Sequence, residues 1–423
     1  MIDQKLLLND LESCIKKWSR RKVPKEEITN SYQLILKKNK SLQKVEELRH
    51  QKKQKSTEIR DFLKKNNIQE VTRIKKDIQE LKSKLEKEEK ILQSLEKELE
   101  LSLLNLPNFP HEKSPEGKSS KDNVEILRGN FNPETFSSQK IPPHWEVMEE
   151  LDIFDQTRAS KISGSMFCIL KGSGAKLLRS LITLAFDTFE EEFTEFVVPS
   201  LVNTASLTGT GQLPKFKQEA YHIEKDDLWA IPTGEVPLTA LHRSEILNEK
   251  DLPLKYMTHT PCFRREAGAA GQDNRGLQRL HEFHKLELVK ICKAQQGEKE
   301  LESLLKSALK PIQKLKLPYR ILDLCPPDLT FSSARTYDIE VYSPGTQSWL
   351  EVSSVSLFTD YQSRRSQIRW RGEDKKIHYA YTLNGSGLAS PRVMACILEI
   401  YREGKGKVKV PEALTQYMKQ DYL

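Results

Sequence analysis

The sequence predicts an α+β protein: a long antiparallel hairpin of two helices at the N-terminus, then a domain built on a mainly antiparallel sheet flanked by helices. Three observations carry this. From Glu26 to Leu104 the chain is free of Gly and Pro and dense in Lys, Glu, Gln and Leu, the composition of uninterrupted helix. A stretch rich in Pro, Gly, Ser and Lys then runs to about Asn123 and reads as a linker. Beyond it, strand and helix patterns alternate irregularly, without the G-x-x-x-x-G-K-S/T or strand-linked G-x-G-x-x-G loop of a nucleotide-binding parallel sheet, so an antiparallel sheet is expected and not a doubly wound one.

Taken in order, residues 3 to about 20 place Leu6, Leu7, Leu8, Leu11, Ile15 and Trp18 near helical spacing, which predicts one short helix. Two long helices follow, about 26–65 and 70–104. The second sets Ile74, Ile78, Leu81, Leu85, Leu92, Leu95 and Leu99 at alternating steps of four and three, broken where Glu88 takes a seam position; that is a narrow coiled-coil stripe. The first offers Tyr32, Ile35, Leu42, Val45, Ile59 and Phe62 less regularly, and Lys64 to Gln69 supply the reversal. The expected division is an N-terminal domain 1–105 with its arm at about 26–104, a linker 106–123 and a second domain 124–423. In that second domain we expect a helix near 176–192, strands near 196–199, 255–266, 277–290, 336–342 and 348–356, and a last helix near 388–404.

With 423 residues, the chain is long enough for two or three domains. Its 68 Lys and Arg against 60 Asp and Glu give a net charge of +8, which permits a polyanionic partner without requiring one. Distribution is more telling. On the first long helix Lys37, Lys38, Lys44, Arg49, Lys52 and Lys53 belong to a basic run that outnumbers its acids, as a phosphate backbone would require; a solvated coiled-coil face is the alternative. No apolar run approaches the ~20 residues that span a bilayer, and the N-terminus lacks the apolar core of a signal peptide. The six cysteines are scattered, with no C-x-x-C pair, as in reduced cytoplasmic proteins. Cys262, His281 and His284 are the residue types zinc takes, but an odd separation turns the two histidines to opposite faces of a strand, so no structural zinc is expected.

Chemistry concentrates between Cys262 and Lys290. The stretch reads as two strands joined by a glycine-rich, charged loop, Gly268 to Gly276. Period-two alternation puts Arg279, His281, Phe283, Lys285 and Glu287 on one face and Leu280, Leu286 and Leu288 on the other, with Arg264 and Glu266 sharing a face of the first strand. A guanidinium suits phosphate or carboxylate oxygens, Phe283 suits a base, and Glu287 suits an ammonium. A solvated hairpin is the bland alternative.

Other segments weigh against blandness: Thr233-Gly234-Glu235-Val236-Pro237-Leu238, Glu351-Val352-Ser353-Ser354, and Asn384-Gly385-Ser386-Gly387-Leu388-Ala389-Ser390-Pro391-Arg392. With F-R-x-E at Phe263–Glu266 and the loop after it, their order and spacing resemble the class II seryl-tRNA synthetases of bacterial type over nearly the whole chain. The resemblance implies that family's antiparallel catalytic fold and an ATP-dependent ligase that forms seryl-adenylate and passes serine to serine tRNA, and to selenocysteine tRNA where one exists. It implies catalytic roles for Arg264 and Arg392. Serine contacts would come from Thr233, Gly234, Glu235, Arg264, Glu287 and Ser386. ATP contacts would come from Arg264, Arg265, Glu266, Phe283, Glu351, Val352, Ser353, Ser354 and Arg392, with Glu351 and Ser354 holding Mg²⁺. The arm residues Lys37, Lys38, Lys44, Arg49, Lys52 and Lys53 would grip the long variable arm of the tRNA. Phe196 to Asn203 resembles motif 1, which puts Pro199 at the interface of a cytoplasmic homodimer. Four positions depart from the family's habit: Gly234 for Ala, Arg265 for Ser, Val355 for Cys, and Pro391 for Gly.

Overall fold

The computed structural model describes residues 1–64, 66–132, 136, 140–267 and 275–423. Within these the chain separates into two compact units, Ile2–Pro107 and Asn108–Leu423, the latter joined by Met1.

The first unit is helical. The single helix expected at 3–20 is two, α1 (Gln4–Asn9) and α2 (Leu11–Ser19), because Asp10 ends one and its carboxylate accepts from Ser13 N to cap the next. α3 (Lys25–Lys64) and α4 (Ile68–Leu104) form the antiparallel hairpin. Forty residues at 1.5 Å each give α3 a length of about 60 Å. Lys65 lies outside the described residues; Asn66 takes a left-handed backbone, φ 55°, and the Asn67 side chain caps α4 by accepting from Glu70 N at 3.3 Å. The seam buries Ile28, Ile35 and Val45 against Val71, Ile74, Leu85 and Leu99. Glu88, the polar interruption, is satisfied from the facing helix, where Ser41 Oγ donates to it at 3.1 Å and Lys44 Nζ sits at 2.7 Å.

The second unit is organised by one sheet of eight strands: β1 (Val124–Gly129), β2 (Thr194–Glu195), β3 (Leu254–Phe263), β4 (Glu282–Cys292), β5 (Tyr319–Asp323), β6 (Arg335–Ser343), β7 (Ser348–Thr359) and β8 (Tyr381–Ala389). Their spatial order is β1-β5-β6-β7-β8-β4-β3-β2. Every neighbouring pair is antiparallel except β2 with β3, so the expected fold class holds. Alternation divides the sheet: Ile339 and Val341 on β6, Val355 and Leu357 on β7, and Leu286 and Leu288 on β4 feed one continuous core. α5 (Ser173–Phe189), α7 (Gly297–Lys314) and α9 (Ser390–Ile400) contribute to it through stripes such as Leu177, Leu181, Leu184 and Leu301, Leu304, Ala308. The alternate residues on the other face build the site. Two further helices, α6 (Glu235–Ala240) and α8 (Tyr361–Ser366), stand beside it.

Several element boundaries correct the sequence reading. The strand expected at 196–199 is β2, at 194–195: Phe196 N makes one last bond to Met257 O at 2.8 Å, and Pro199 has no N–H to continue a ladder. β4 begins at Glu282 and not at 277, because Leu277 N is taken by His144 Nε2 at 3.1 Å and His281 N by Met166 O at 2.9 Å. Arg279 and His281 therefore precede the strand that was expected to display them. β3 stops at Phe263, so Arg264 and Glu266 follow it. The last helix starts at Ser390, with Pro391 in its first turn, where a missing N–H costs nothing. It ends at Ile400, and the preceding Tyr381–Ala389 is strand. Of the stretch expected as a linker, Asn108 Nδ2 donates to Ser332 O at 2.9 Å and Phe358 O at 2.7 Å, and His111 N donates to Ala334 O at 2.8 Å. Among the described residues no helix is long and apolar enough to cross a membrane.

Candidate active site

β4, β6, β7 and β8 carry their polar residues to one side of the sheet, over a cavity of about 500 Å³ lined by Thr233, Glu235, Arg264, Glu266, Lys285, Asp338, Glu351, Ser354, Asn384 and Ser386, among others. A smaller cavity of about 110 Å³ shares Arg264, Glu266, Lys285, Glu351 and Ser386 with it and adds Phe283, Val352, Pro391 and Arg392. Residues far apart in sequence thus converge.

At the floor of the larger cavity Glu287 is fully buried. The Thr233 hydroxyl and the Lys285 ammonium both meet its Oε2, and Asn384 Nδ2 donates to its Oε1 at 3.2 Å. Lys285 Nζ also donates to Thr233 Oγ1 at 3.0 Å. Glu235, at the start of α6, accepts from Gln362 Nε2 at 2.6 Å and Asn384 Nδ2 at 3.1 Å. Burial first, and the charge of Glu287 second, push the Glu235 carboxyl up to about 7. Gln362 is itself held by Thr382 Oγ1, which donates to its Oε1 at 2.7 Å. The backbone between Thr233 and Glu235 lies close to the sheet: a Cβ on Gly234 would fall 2.8 Å from Thr258 Cγ2 and 3.1 Å from Glu287 Cβ. That crowding accounts for glycine at this position.

On the side toward the smaller cavity, Arg264 Nε donates to Pro232 O at 3.3 Å and its guanidinium stands 5.1 Å from the Phe283 ring centroid. Glu266 accepts from Arg279 Nη1 at 3.1 Å. Arg392 Nη1 donates to the Glu351 carbonyl at 2.7 Å and lies 3.5 Å from its carboxylate. Beside Glu351, Asp338 Oδ1 is buried without a hydrogen-bond partner. Burial, then the Glu351 charge, raise the Asp338 carboxyl well above the usual range, with the Ser354 hydroxyl opposing. An orphaned carboxylate oxygen between a hydroxyl and a second carboxylate is a hard-oxygen environment, although among the described residues no three His, Cys, Asp or Glu side chains form a ready-made metal site.

Other expected residues stand apart from the cavities. Ser353 Oγ donates to Ser386 O at 2.6 Å from inside the sheet. Arg265 stacks at 5.6 Å on Tyr221, and Val355 is core. The loop residues 268–274 lie outside the described residues. His281 bonds the Arg264 carbonyl through Nδ1 at 2.9 Å, while His284 meets His259 at 3.1 Å, so the two histidines have separate partners. In the first unit, Lys44 and Arg49 pair with Glu88 and Glu89, both at 2.7 Å. Asp338, Gln362 and Asn384 have no role in the sequence reading; Asp338 falls in an expected strand and Asn384 in one of the segments singled out, but the meeting of the three depends on strand order, which no local pattern shows. Lys285 was legible only as a member of the polar face.

Comparison with known proteins agrees in both units. Residues 1–110 match the seryl-tRNA synthetase N-terminal domain and residues 216–401 match the class II tRNA synthetase core domain (G, H, P, S and T). The chain is 46% identical over 378 residues to a serine–tRNA ligase of Syntrophotalea carbinolica, covering 88% of each, and 43% identical over 431 residues to that of Prochlorococcus marinus, covering 100% of this chain and 99% of the relative. Among solved structures it resembles seryl-tRNA synthetase from Pyrococcus horikoshii complexed with ATP, with TM-score 0.92, 32% identity, and coverage of 100% and 99%.

Proposed function

The chain belongs to the seryl-tRNA synthetase family, and on that premise we propose that it activates L-serine with ATP and transfers the seryl group to the 3′ end of serine tRNA. The observation that carries this reading is the convergence of Arg264, Glu266, Glu351 and Arg392 on cavities that also hold Thr233, Glu235 and Ser386. Such a set can bind an amino acid and a triphosphate side by side. Both reaction steps pass through anionic transition states, which positioned cations stabilise without a covalent nucleophile.

In this reading Arg264 bridges the serine carboxylate and the α-phosphate, and Glu266 meets the adenine amino group. Phe283 and Arg392 sandwich the base, with Arg392 reaching the γ-phosphate. In the free chain these groups hold one another, Arg264 over Phe283 and Arg392 against Glu351, so ATP exchanges internal contacts for its own. Glu351 and Ser354 would hold Mg²⁺, with the unpartnered Asp338 oxygen beside them supporting the fit; the ion supplies charge neutralisation along the phosphates. Serine is selected through its ammonium and hydroxyl, because a competitor lacking the hydroxyl leaves buried partners unsatisfied. Thr233, Glu235, Glu287 and Ser386 are the assigned contacts.

The reading extends to the arm, whose basic α3 would hold the variable arm of serine tRNA, and of selenocysteine tRNA where one exists. It extends to a homodimer, for which the exposed Val197, Pro199 and Leu201 offer an apolar patch. The free thiols of all six cysteines support a reducing compartment, and with it the cytoplasm. Pyrophosphate exchange with ATP, run across the amino acids, tests the core of the proposal: serine alone is expected to drive it, and acylation of bulk tRNA to follow. Exchange driven by another amino acid, or by none, defeats it.

A further inference from the structure

Glu287 is one of the proposed serine contacts and the residue type that suits an ammonium, yet a resident cation already covers it. Lys285 Nζ and the Thr233 hydroxyl both meet its Oε2, and Lys285 bonds Thr233 as well. Glu287 is fully buried, whereas Lys285, Thr233 and Asn384 line the larger cavity above it. An ammonium entering from the cavity meets Lys285 before it meets Glu287.

We propose that Lys285 is an exchanging counter-ion. In the free site its ammonium stands in for that of the substrate; when serine binds, Lys285 yields Glu287 to the substrate ammonium and turns to the serine carboxylate and the α-phosphate. This rests on the serine-ligase reading of the site. Three observations carry it. The first is the cover over Glu287. The second is position: Lys285 is one of the few residues lining both cavities, the one holding Thr233 and Glu235 and the one holding Phe283 and Arg392, so its head group lies where amino acid and nucleotide must meet. Its flexible four-carbon stem lets the charge move while the backbone stays in the sheet. The third is charge. Serine brings one ammonium and one carboxylate. After exchange Glu287 and the serine carboxylate each have an ammonium beside them. Without exchange two ammonium groups crowd one carboxylate, and the serine carboxylate has only the exposed Arg264. Uncompensated buried charge is the costlier arrangement.

In the activation step a serine carboxylate oxygen bonds to the α-phosphorus while the bond from that phosphorus to the oxygen bridging to the β-phosphate breaks, and pyrophosphate leaves with the electron pair. No proton is transferred. Lys285 remains an ammonium throughout and neutralises charge that accumulates on the α-phosphate oxygens. It is thereby a catalytic residue in addition to Arg264, and one whose contribution to ground-state serine binding is small.

Full-length Lys285→Met and Lys285→Arg test this by three measurements: serine affinity without ATP by calorimetry, kcat and KM in pyrophosphate exchange, and affinity for ethanolamine, which has the ammonium and hydroxyl of serine but no carboxylate. The methionine variant is expected to bind serine at least as tightly as the wild type, to bind ethanolamine tenfold or more tighter, and to lose a hundredfold or more in kcat; arginine recovers part of that kcat. Serine affinity that falls in proportion to activity with kcat unchanged makes Lys285 a fixed wall of the pocket and overturns the proposal, as does an unchanged kcat with unchanged affinity. Should the methionine variant unfold, Lys285→Gln, neutral but able to donate to Glu287, is held to the same expectations. A wild-type protein with no serine-dependent exchange sinks the ligase reading itself, a separate result.

Discussion

Glu235 is placed to titrate near neutral pH. Its carboxyl is raised from an ordinary 4.5 to about 7, chiefly by burial and then by Glu287. A cation bound beside it favours the ionised form, so serine binding releases a proton and affinity rises with pH until about 7, then levels. The limit is tenfold per pH unit; a several-fold gain between pH 6 and 8 is expected, with Glu235→Gln flattening it, and calorimetry in buffers of different ionisation enthalpy reads the released proton. Stability carries the opposite sign. A raised folded-state pKa contributes stability that is full below the unfolded value near 4.5 and lost as pH rises through about 7, about 3 kcal/mol in all. Denaturation of Glu235→Gln against pH should lack that slope. Gly234 gives a second expectation. Gly234→Ala forces a methyl to 2.8 Å from Thr258 Cγ2, an overpacking that costs about 1–3 kcal/mol; the melting temperature falls and KM for serine rises, while KM for ATP stays. The sequence names Glu235 readily, as part of a recognisable segment. It cannot state the carboxyl's burial, which Gln362 and Asn384 impose from elements 127 and 149 residues away.

Elements were most legible where one periodicity runs unopposed. α3 and α4 match their expected spans to within a few residues because nothing competes with helix over forty residues of Lys, Glu, Gln and Leu. Edges were least legible where a distant partner captured a backbone group. His144 takes the Leu277 amide and delays β4 by several residues, and the strand Tyr381–Ala389 hides among glycines that a propensity reading takes for loop. Glu88 looks like a flaw in the α4 stripe until Ser41 and Lys44 are seen facing it. A buried carboxylate paired in this way sets register more than it adds stability. Glu88→Leu is therefore expected to leave the arm as stable or more stable, whereas Lys44→Met, which leaves the carboxylate with Ser41 alone, lowers its stability. Far-UV circular dichroism during chemical unfolding separates the two; a Glu88→Leu protein that unfolds much earlier than the wild type would show that Glu88 contributes more to stability than register alone requires.

The chain falls into two compact units, one built of helices that carry the basic run and one built on the sheet whose polar residues line the cavities. Within the arm the six expected cations are not equivalent. Lys44 and Arg49 already face Glu88 and Glu89, so a phosphate must compete for them. Lys37, Lys38, Lys52 and Lys53 have no ion pair among the described residues and are the stronger claimants for nucleic acid. Replacing those four with Gln removes positive charge while keeping the long aliphatic part of each side chain, so the hairpin itself should survive. Serine-dependent pyrophosphate exchange is expected to be unchanged, because these residues do not line the cavities. KM for serine tRNA should rise tenfold or more, and its dependence on salt should become shallower by roughly 0.7–0.9 in logarithmic slope for each phosphate that the protein no longer neutralises. Charging at low salt should recover more than charging at high salt does. A variant that charges tRNA with the wild-type KM and salt slope removes the arm's lysines from recognition; one that loses pyrophosphate exchange as well ties the basic run to the chemistry, and the division between the two units fails with it.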